Sequence, residues 1–130
     1  MLNHLINVVH SVIREKIIKK ISRSPGWSKV EKAFLASQPF CAACGGKTRL
    51  QIHHKIPFHD NPTLELEPSN LITLCMSSLE CHLKIGHSGS FKQYNPNVLA
   101  DCISVMFHPE QRETIEKKAF DNRKLNKPGV

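Results

Sequence analysis

Nine side chains between Cys41 and His87 have the types and spacing to do chemistry. Cys41-x2-Cys44, followed by Gly45-Gly46, places two thiolates on one tight turn, where they can share a metal ion while the glycines let backbone amides approach the sulfurs. Cys75 and Cys81 offer a second pair with five residues between its members. Four thiolates complete a tetrahedral zinc shell and leave no open position, which is the property of a structural ion. The wide second pair requires a small bulge, Met76 to Glu80, between its ligands. A redox role for the first pair would call for a helix start in a βαβ context, whereas this one leads into a strand-like run. Cys102 stands apart, in an apolar helical stretch, and reads as an ordinary buried thiol.

Interleaved with the cysteines are His53-His54, Asn70, His82 directly after Cys81, and His87. An imidazole, with its unperturbed pKa of ~6.5, can accept a proton near neutral pH or ligate a divalent ion. Each residue alone has a plainer reading: polar strand residues for the His pair, turn chemistry for Asn70, a cap for His82. Their order around four cysteines outweighs those readings.

This constellation resembles the HNH endonucleases, the ββα-metal or His-Me finger nucleases, in their zinc-knuckle subset. The resemblance covers roughly Pro39 to His87. It implies a metal-dependent hydrolase of phosphodiester bonds with His54 as general base. His53 and His82 would hold a catalytic divalent ion (Mg2+, Mn2+, Ni2+ or Zn2+), with His87 as a further candidate ligand. Asn70 would pin the loop that orients the base, and Cys41, Cys44, Cys75 and Cys81 would hold structural Zn2+. The implied partner is nucleic acid, double-stranded DNA first, with 5′-phosphate and 3′-hydroxyl products.

Two geometric conditions follow. Neighbouring strand residues point to opposite faces, so the His53-His54 run must bend or end there to bring both to one site. His87 lies five residues after His82, about 500° of α-helical turn, so Gly86 must end the helix for both to face one ion.

The elements that must position these residues are legible in outline. Leu50 to Ile56 is strand-like and stopped by Pro57, and Leu71 to Leu74 forms a second short strand entering Cys75. A polar, Pro-containing loop, Asp60 to Ser69, joins them. Leu79 to Ile85 is expected to be helical, stopping at Gly86. Leu2, Leu5, Ile6, Val9, Val12, Ile13, Ile17 and Ile21 recur at helical spacing, which predicts a helix packed on the core with a solvated basic face, ending near Ser22–Pro25. A second helix is expected over Ser28–Ser37 with Ser28 as N-cap. Asn97 to Phe107 is apolar-periodic, Pro109 to Lys124 reads as a charged, exposed helix, and Leu125–Val130 as a frayed tail.

The fold class is therefore α+β: a small ββα-metal (HNH) core with a four-cysteine zinc knuckle, flanked by N- and C-terminal helices. One domain spans 1–130, divided into a helical N-terminal extension (1–37), the core (38–95) and a helical C-terminal extension (96–130). A chain of 130 residues with 6% aromatics has little bulk for a large core, and a structural metal is a common staple at this size.

Eighteen Lys and Arg against eleven Asp and Glu give a net charge of +7, which favours a polyanionic partner. Lys47, Arg49, Lys55 and Lys84 lie near the motif and could contact phosphates, and Lys92, Tyr94 and Asn95 could extend that surface. Trp27 with Arg23 and Lys29 forms either a contact surface or an anchor for the first two helices. His59 and His108 read as surface residues. Neither a signal-peptide pattern nor a bilayer-spanning run is present, so no membrane role and a reducing, cytoplasmic setting are expected, including a phage-encoded protein acting inside a host. Oligomeric state stays open, a dimer being one route to double-strand cleavage. The competing reading is a zinc-stapled nucleic-acid-binding module without catalysis, and a third is a degenerate relative kept as an interaction protein.

Overall fold

A computed structural model of the protein describes residues 2–10 and 23–126. The fold is α+β, centred on an antiparallel ribbon of β1 (Leu50–His54) and β2 (Leu71–Cys75), with Leu50 opposite Cys75 and His54 opposite Leu71. Alternation puts Gln51, His53, Ile72 and Leu74 on one face of the ribbon and Ile52, His54, Leu71 and Thr73 on the other. The ladder is extended at both ends, by Met76 N–H to the Arg49 carbonyl and by Lys55 N–H to the Asn70 carbonyl, each 2.8 Å. The turn at Cys41–Cys44 docks on the outer edge of β2, where Ala42 N–H donates to the Thr73 carbonyl.

Helix α1 is described over residues 2–10. Around the ribbon stand α2 (Trp27–Ser37), α3 (Val98–Phe107) and α4 (Arg112–Asp121), with a second small ribbon of β3 (Gln93–Tyr94) and β4 (Lys124–Leu125). The core gathers Leu74, Ile72 and Ile85 with the cysteines, and α3 and α4 close it through Val98, Cys102, Val105 and Ile115. Cys102 is the buried thiol expected of it.

Several sequence expectations are corrected. Over its described residues α1 does not pack on the core: Leu2, Leu5, Ile6 and Val9 are all exposed, and α3 and α4 close the buried cluster instead. The remainder of the predicted first helix lies outside the described residues. Ser28 is not the cap of α2. The helix begins at Trp27, after a turn in which Ser24 accepts the Gly26 amide on its hydroxyl and the Trp27 amide on its carbonyl. The charged C-terminal helix is shorter than expected, is preceded by a 3-10 turn at Pro109–Gln111, and buries Ile115 and Ala119. Leu125, read as frayed, is paired in β4, and residues 127–130 lie outside the description.

The segment after Cys81 is also different. His82–Gly86 is a π turn, closed by the His87 amide on the His82 carbonyl at 2.9 Å. An i→i+5 bond stacks residues five apart over one another, which an α-helix cannot do. The alignment of His82 with His87 therefore comes from the widened turn itself.

Candidate functional site

Two groups of metal-ligating side chains form in the described residues, and Cys81-His82 contributes one residue to each. The first is Cys41, Cys44, Cys75 and Cys81, whose sulfurs all lie within 4.8 Å of one another, with Cys44 and Cys75 3.7 Å apart. A zinc ion about 2.3 Å from each sulfur needs a tetrahedron with edges of ~3.8 Å, so the donor set fits. Cys41, Cys75 and Cys81 are fully buried and none of the four is in a disulfide.

Local backbone geometry explains how the thiols converge. Gly45 sits at φ +75°, a conformation that favours glycine, and Gly46 N–H points at the Cys44 sulfur at 3.4 Å. The wide second pair is spanned by a Ser77–Glu80 turn with Glu80 at φ +47°. Arg112 of α4 holds that turn, donating to the Leu79 carbonyl at 2.8 Å and to the Cys81 sulfur at 3.3 Å. The pKa of Cys41 is lowered to about 4, chiefly by its hydrogen bond with the Cys81 thiol, whereas Cys81 itself is pushed up by the same contact and by burial.

The second group is His53, His82 and His87, each offering a ring nitrogen within 4.8 Å of the others. His53 Nδ1 and His82 Nε2 are 3.1 Å apart. The Gln51 side-chain carbonyl accepts from His82 Nδ1 at 2.7 Å, which fixes the neutral ring with its lone pair on Nε2. The Gln93 backbone carbonyl does the same for His87 Nδ1 at 2.7 Å, leaving Nε2 as the donor atom. His53 Nε2 is buried without a hydrogen-bond partner. If His53 carries its proton there, two lone pairs face each other across 3.1 Å, and a cation between them resolves the conflict.

Burial lowers all three pKa values, and His82 falls to about 4 from burial and from the neighbouring His87. The rings are therefore neutral at pH 7, the state that ligates metal. Gly86 leaves room for this packing. A Cβ there would stand 3.0 Å from Leu74 Cδ1 and 3.3 Å from the His53 ring. The group is not sealed: His82 lines a cleft of about 310 Å3 between α2 and β1, and the exposed Phe91 ring lies 4.9 Å from His87.

His54 sits apart from this triad. The strand pairs without a break through both histidines, contrary to the expected bend, and so His53 and His54 project to opposite faces. The His54 ring packs against Trp27, with centroids 4.6 Å apart, and Nε2 lies 3.0 Å from the Glu65 carbonyl. That bond places the neutral ring's proton on Nε2 and its lone pair on Nδ1. Burial lowers its pKa, partly offset by the Glu65 carbonyl.

Asn70 is buried and clasps the chain just beyond His54. Its carbonyl oxygen accepts from Ile56 N–H at 2.9 Å, and its amide donates to the carbonyls of Ile56 and Leu64 at 3.0 and 3.3 Å. Lys47, Arg49 and Lys84 are exposed, while Lys55 is half-buried and donates to the Ser69 carbonyl. Tyr94 and Asn95 are buried, which corrects their reading as substrate contacts. Asn95 instead ties Asp101 of α3 to the Gly86 carbonyl. His59 and His108 are on the surface.

Gln51, Gln93 and Glu65 were not identified from sequence. Their roles depend on which side chain or carbonyl the fold brings beside an imidazole. Only Gln51, two residues before His53 on the same strand face, carried a usable signal.

Residues 41–88 match the family model described as HNH endonuclease, a family of metal-binding nucleases. The matched span contains all nine of the candidate residues, both metal-ligand groups included. No curated protein and no solved structure matched the chain.

Proposed function

We propose, from the match of residues 41–88 to the HNH endonuclease family model, that the protein is a metal-dependent endonuclease that hydrolyses phosphodiester bonds in DNA. The observation that carries the reading is the His53, His82, His87 cluster, with two of its tautomers set by Gln51 and Gln93 and its third imidazole orphaned at Nε2. Such a cluster, open to a cleft, has the character of a working metal site. The cysteine group, with four ligands and little exposure, has the character of a zinc staple.

The chain's residues then divide the work. His53, His82 and His87 hold the divalent ion, which when bound polarises a phosphoryl oxygen and neutralises charge on the departing 3′ oxygen. His54 takes a proton from water on Nδ1 while Glu65 keeps the Nε2 proton engaged. Attack by that water on phosphorus breaks the bond to the 3′ oxygen, giving 5′-phosphate and 3′-hydroxyl ends. Asn70 fixes the exit of β1 and so holds the backbone of the base. The net charge of +7 supplies the attraction for a polyanion, and double-stranded DNA is the proposed substrate.

One observation favours the rival reading, a zinc-stapled nucleic-acid-binding module. Unbroken pairing through His53 and His54 directs them to opposite faces, so a shared substrate must lie over the end of the ribbon. Supercoiled plasmid separates the two readings. With Mg2+, Mn2+ or Ni2+ the protein should yield nicked or linear product, chelator should abolish it, and His54→Ala should reduce the rate by about 10²- to 10⁴-fold. No cleavage with any of these ions, with folded protein that still binds DNA, would hand the case to the binding module.

A further inference from the structure

Of the two residues that hold the His54 ring, Trp27 lies outside the matched residues 41–88 and Glu65 lies within them. Trp27 opens α2, and its indole covers one side of the imidazole at a 36° tilt. Glu65, whose carbonyl takes the Nε2 proton, is itself anchored from the same N-terminal stretch. Its carboxylate is buried and accepts the Ser24 amide on both oxygens, at 3.2 and 3.1 Å, with the Arg23 guanidinium 3.6 Å away. Arg23 also lies over the rings of Trp27 and Phe58, at 5.5 and 5.0 Å, which ties it to the same cluster.

A ring held by a single hydrogen bond can still pivot about that bond. A flat neighbour against its face removes that freedom, and a pinned carbonyl removes the drift of the acceptor. Both restraints on His54 therefore depend on Arg23–Trp27. A buried carboxylate is retained only where donors satisfy it, and two of the groups meeting Glu65 come from this segment.

We propose that Arg23–Trp27 is a working part of the active site, in which Trp27 directly, and Ser24 and Arg23 through Glu65, position the His54 imidazole and hold it as the Nε2–H tautomer. This rests on the reading of His54 as the base. It assigns positioning residues to a stretch that precedes the family match by 14 residues, counted from Trp27 to Cys41.

The test compares Trp27→Ala, Trp27→Phe and Glu65→Gln with wild type in the zinc-loaded, full-length protein. Steady-state cleavage of a duplex should show kcat lowered by about 10- to 100-fold in Trp27→Ala with KM within about twofold, since misplacing a reacting group costs on that order. Trp27→Phe, which keeps a flat ring, should recover most of the loss, and Ni2+ affinity at the histidine cluster should not change. Nitrogen NMR of His54 should report one tautomer in wild type and a mixture in Trp27→Ala.

An unchanged tautomer and kcat in folded Trp27→Ala would overturn the proposal. So would parallel loss of Ni2+ affinity with no rescue by Phe, which marks a merely structural role. If Trp27→Ala fails to fold, Glu65→Gln decides, because it loosens the Ser24 and Arg23 anchors while leaving the indole in place. There, mixing of tautomers with a reduced kcat supports the proposal, and wild-type behaviour sinks it. Full activity in His54→Ala would sink the general-base reading alone, since the NMR comparison does not depend on turnover.

Discussion

The cysteine group and the histidine group stand on the two strands of one ribbon, Cys75 on β2 and His53 on β1, and meet at the Cys81-His82 peptide, yet the chain treats them differently. Around the sulfurs it supplies burial, a glycine turn, and a guanidinium from α4. Around the imidazoles it supplies neutral carbonyl acceptors, one on each of two outer nitrogens, and leaves a cleft beside His82. Closed, charged ligands suit an ion that holds the fold. Neutral ligands on a strand and a widened turn suit an ion that must exchange water for substrate. Ligand charge and access, more than ligand number, separate the two roles within one small domain.

The largest effect expected from that contrast is an asymmetry of failure. Zinc binding in small domains is folding free energy, so Cys75→Ser should unfold the core and abolish Ni2+ binding at the histidines too. His82→Ala should keep zinc at one equivalent and a cooperative melt while losing cleavage. Zinc content, circular dichroism on heating and Ni2+ titration measure all three quantities. A Cys75→Ser protein that still melts cooperatively and binds Ni2+ would show the sulfur group to be dispensable.

A smaller effect should come from the outer shell. Replacing Gln51 with Leu leaves His82 without the acceptor that selects its tautomer, and losses of this kind run to about 10- to 100-fold in metal affinity. Zinc at the cysteines should be unaffected. Calorimetric titration of Ni2+ into Gln51→Leu checks it, and wild-type affinity would mean that Gln51 merely fills space.

How much of this was readable in sequence differs between the groups for a physical reason. The four cysteines and the two strands were legible because thiol spacing and β-pattern are local. The pairing of Leu50–His54 with Leu71–Cys75 followed from runs that the structure keeps almost intact. The union of His82 with His87 was obscured because sequence periodicity assumes an α-helix, and the π turn changes the period over a single turn. The expected bend at His53-His54 failed because it was inferred from a role, while the ladder from Arg49 to Asn70 enforces regular pairing. The apolar stripe on α1 suggested core packing, but periodicity says only that a face exists. In residues 2–10 that face is exposed.

The smallest expected effect is the sharpest test of ligand charge. His82 is lowered to about 4, and His53 and His87 are lowered from the usual ~6.5, so the metal-free cluster binds no protons at pH 7 that an ion must displace. Proton competition begins only as pH falls through these lowered values. Ni2+ affinity at the histidines should therefore change by less than about tenfold between pH 7 and 5.5. At the sulfurs the sign is the same but the onset is higher: burial raises Cys44, contacts with Cys41 and burial raise Cys81, and both must release protons to ligate at pH 7. Zinc affinity there should fall steeply over the same interval. Calorimetry in buffers of different ionisation enthalpy counts the protons directly, with close to none released per Ni2+ and more than one per Zn2+. Equal proton release at the two groups would remove the distinction in ligand charge on which the division of roles is argued.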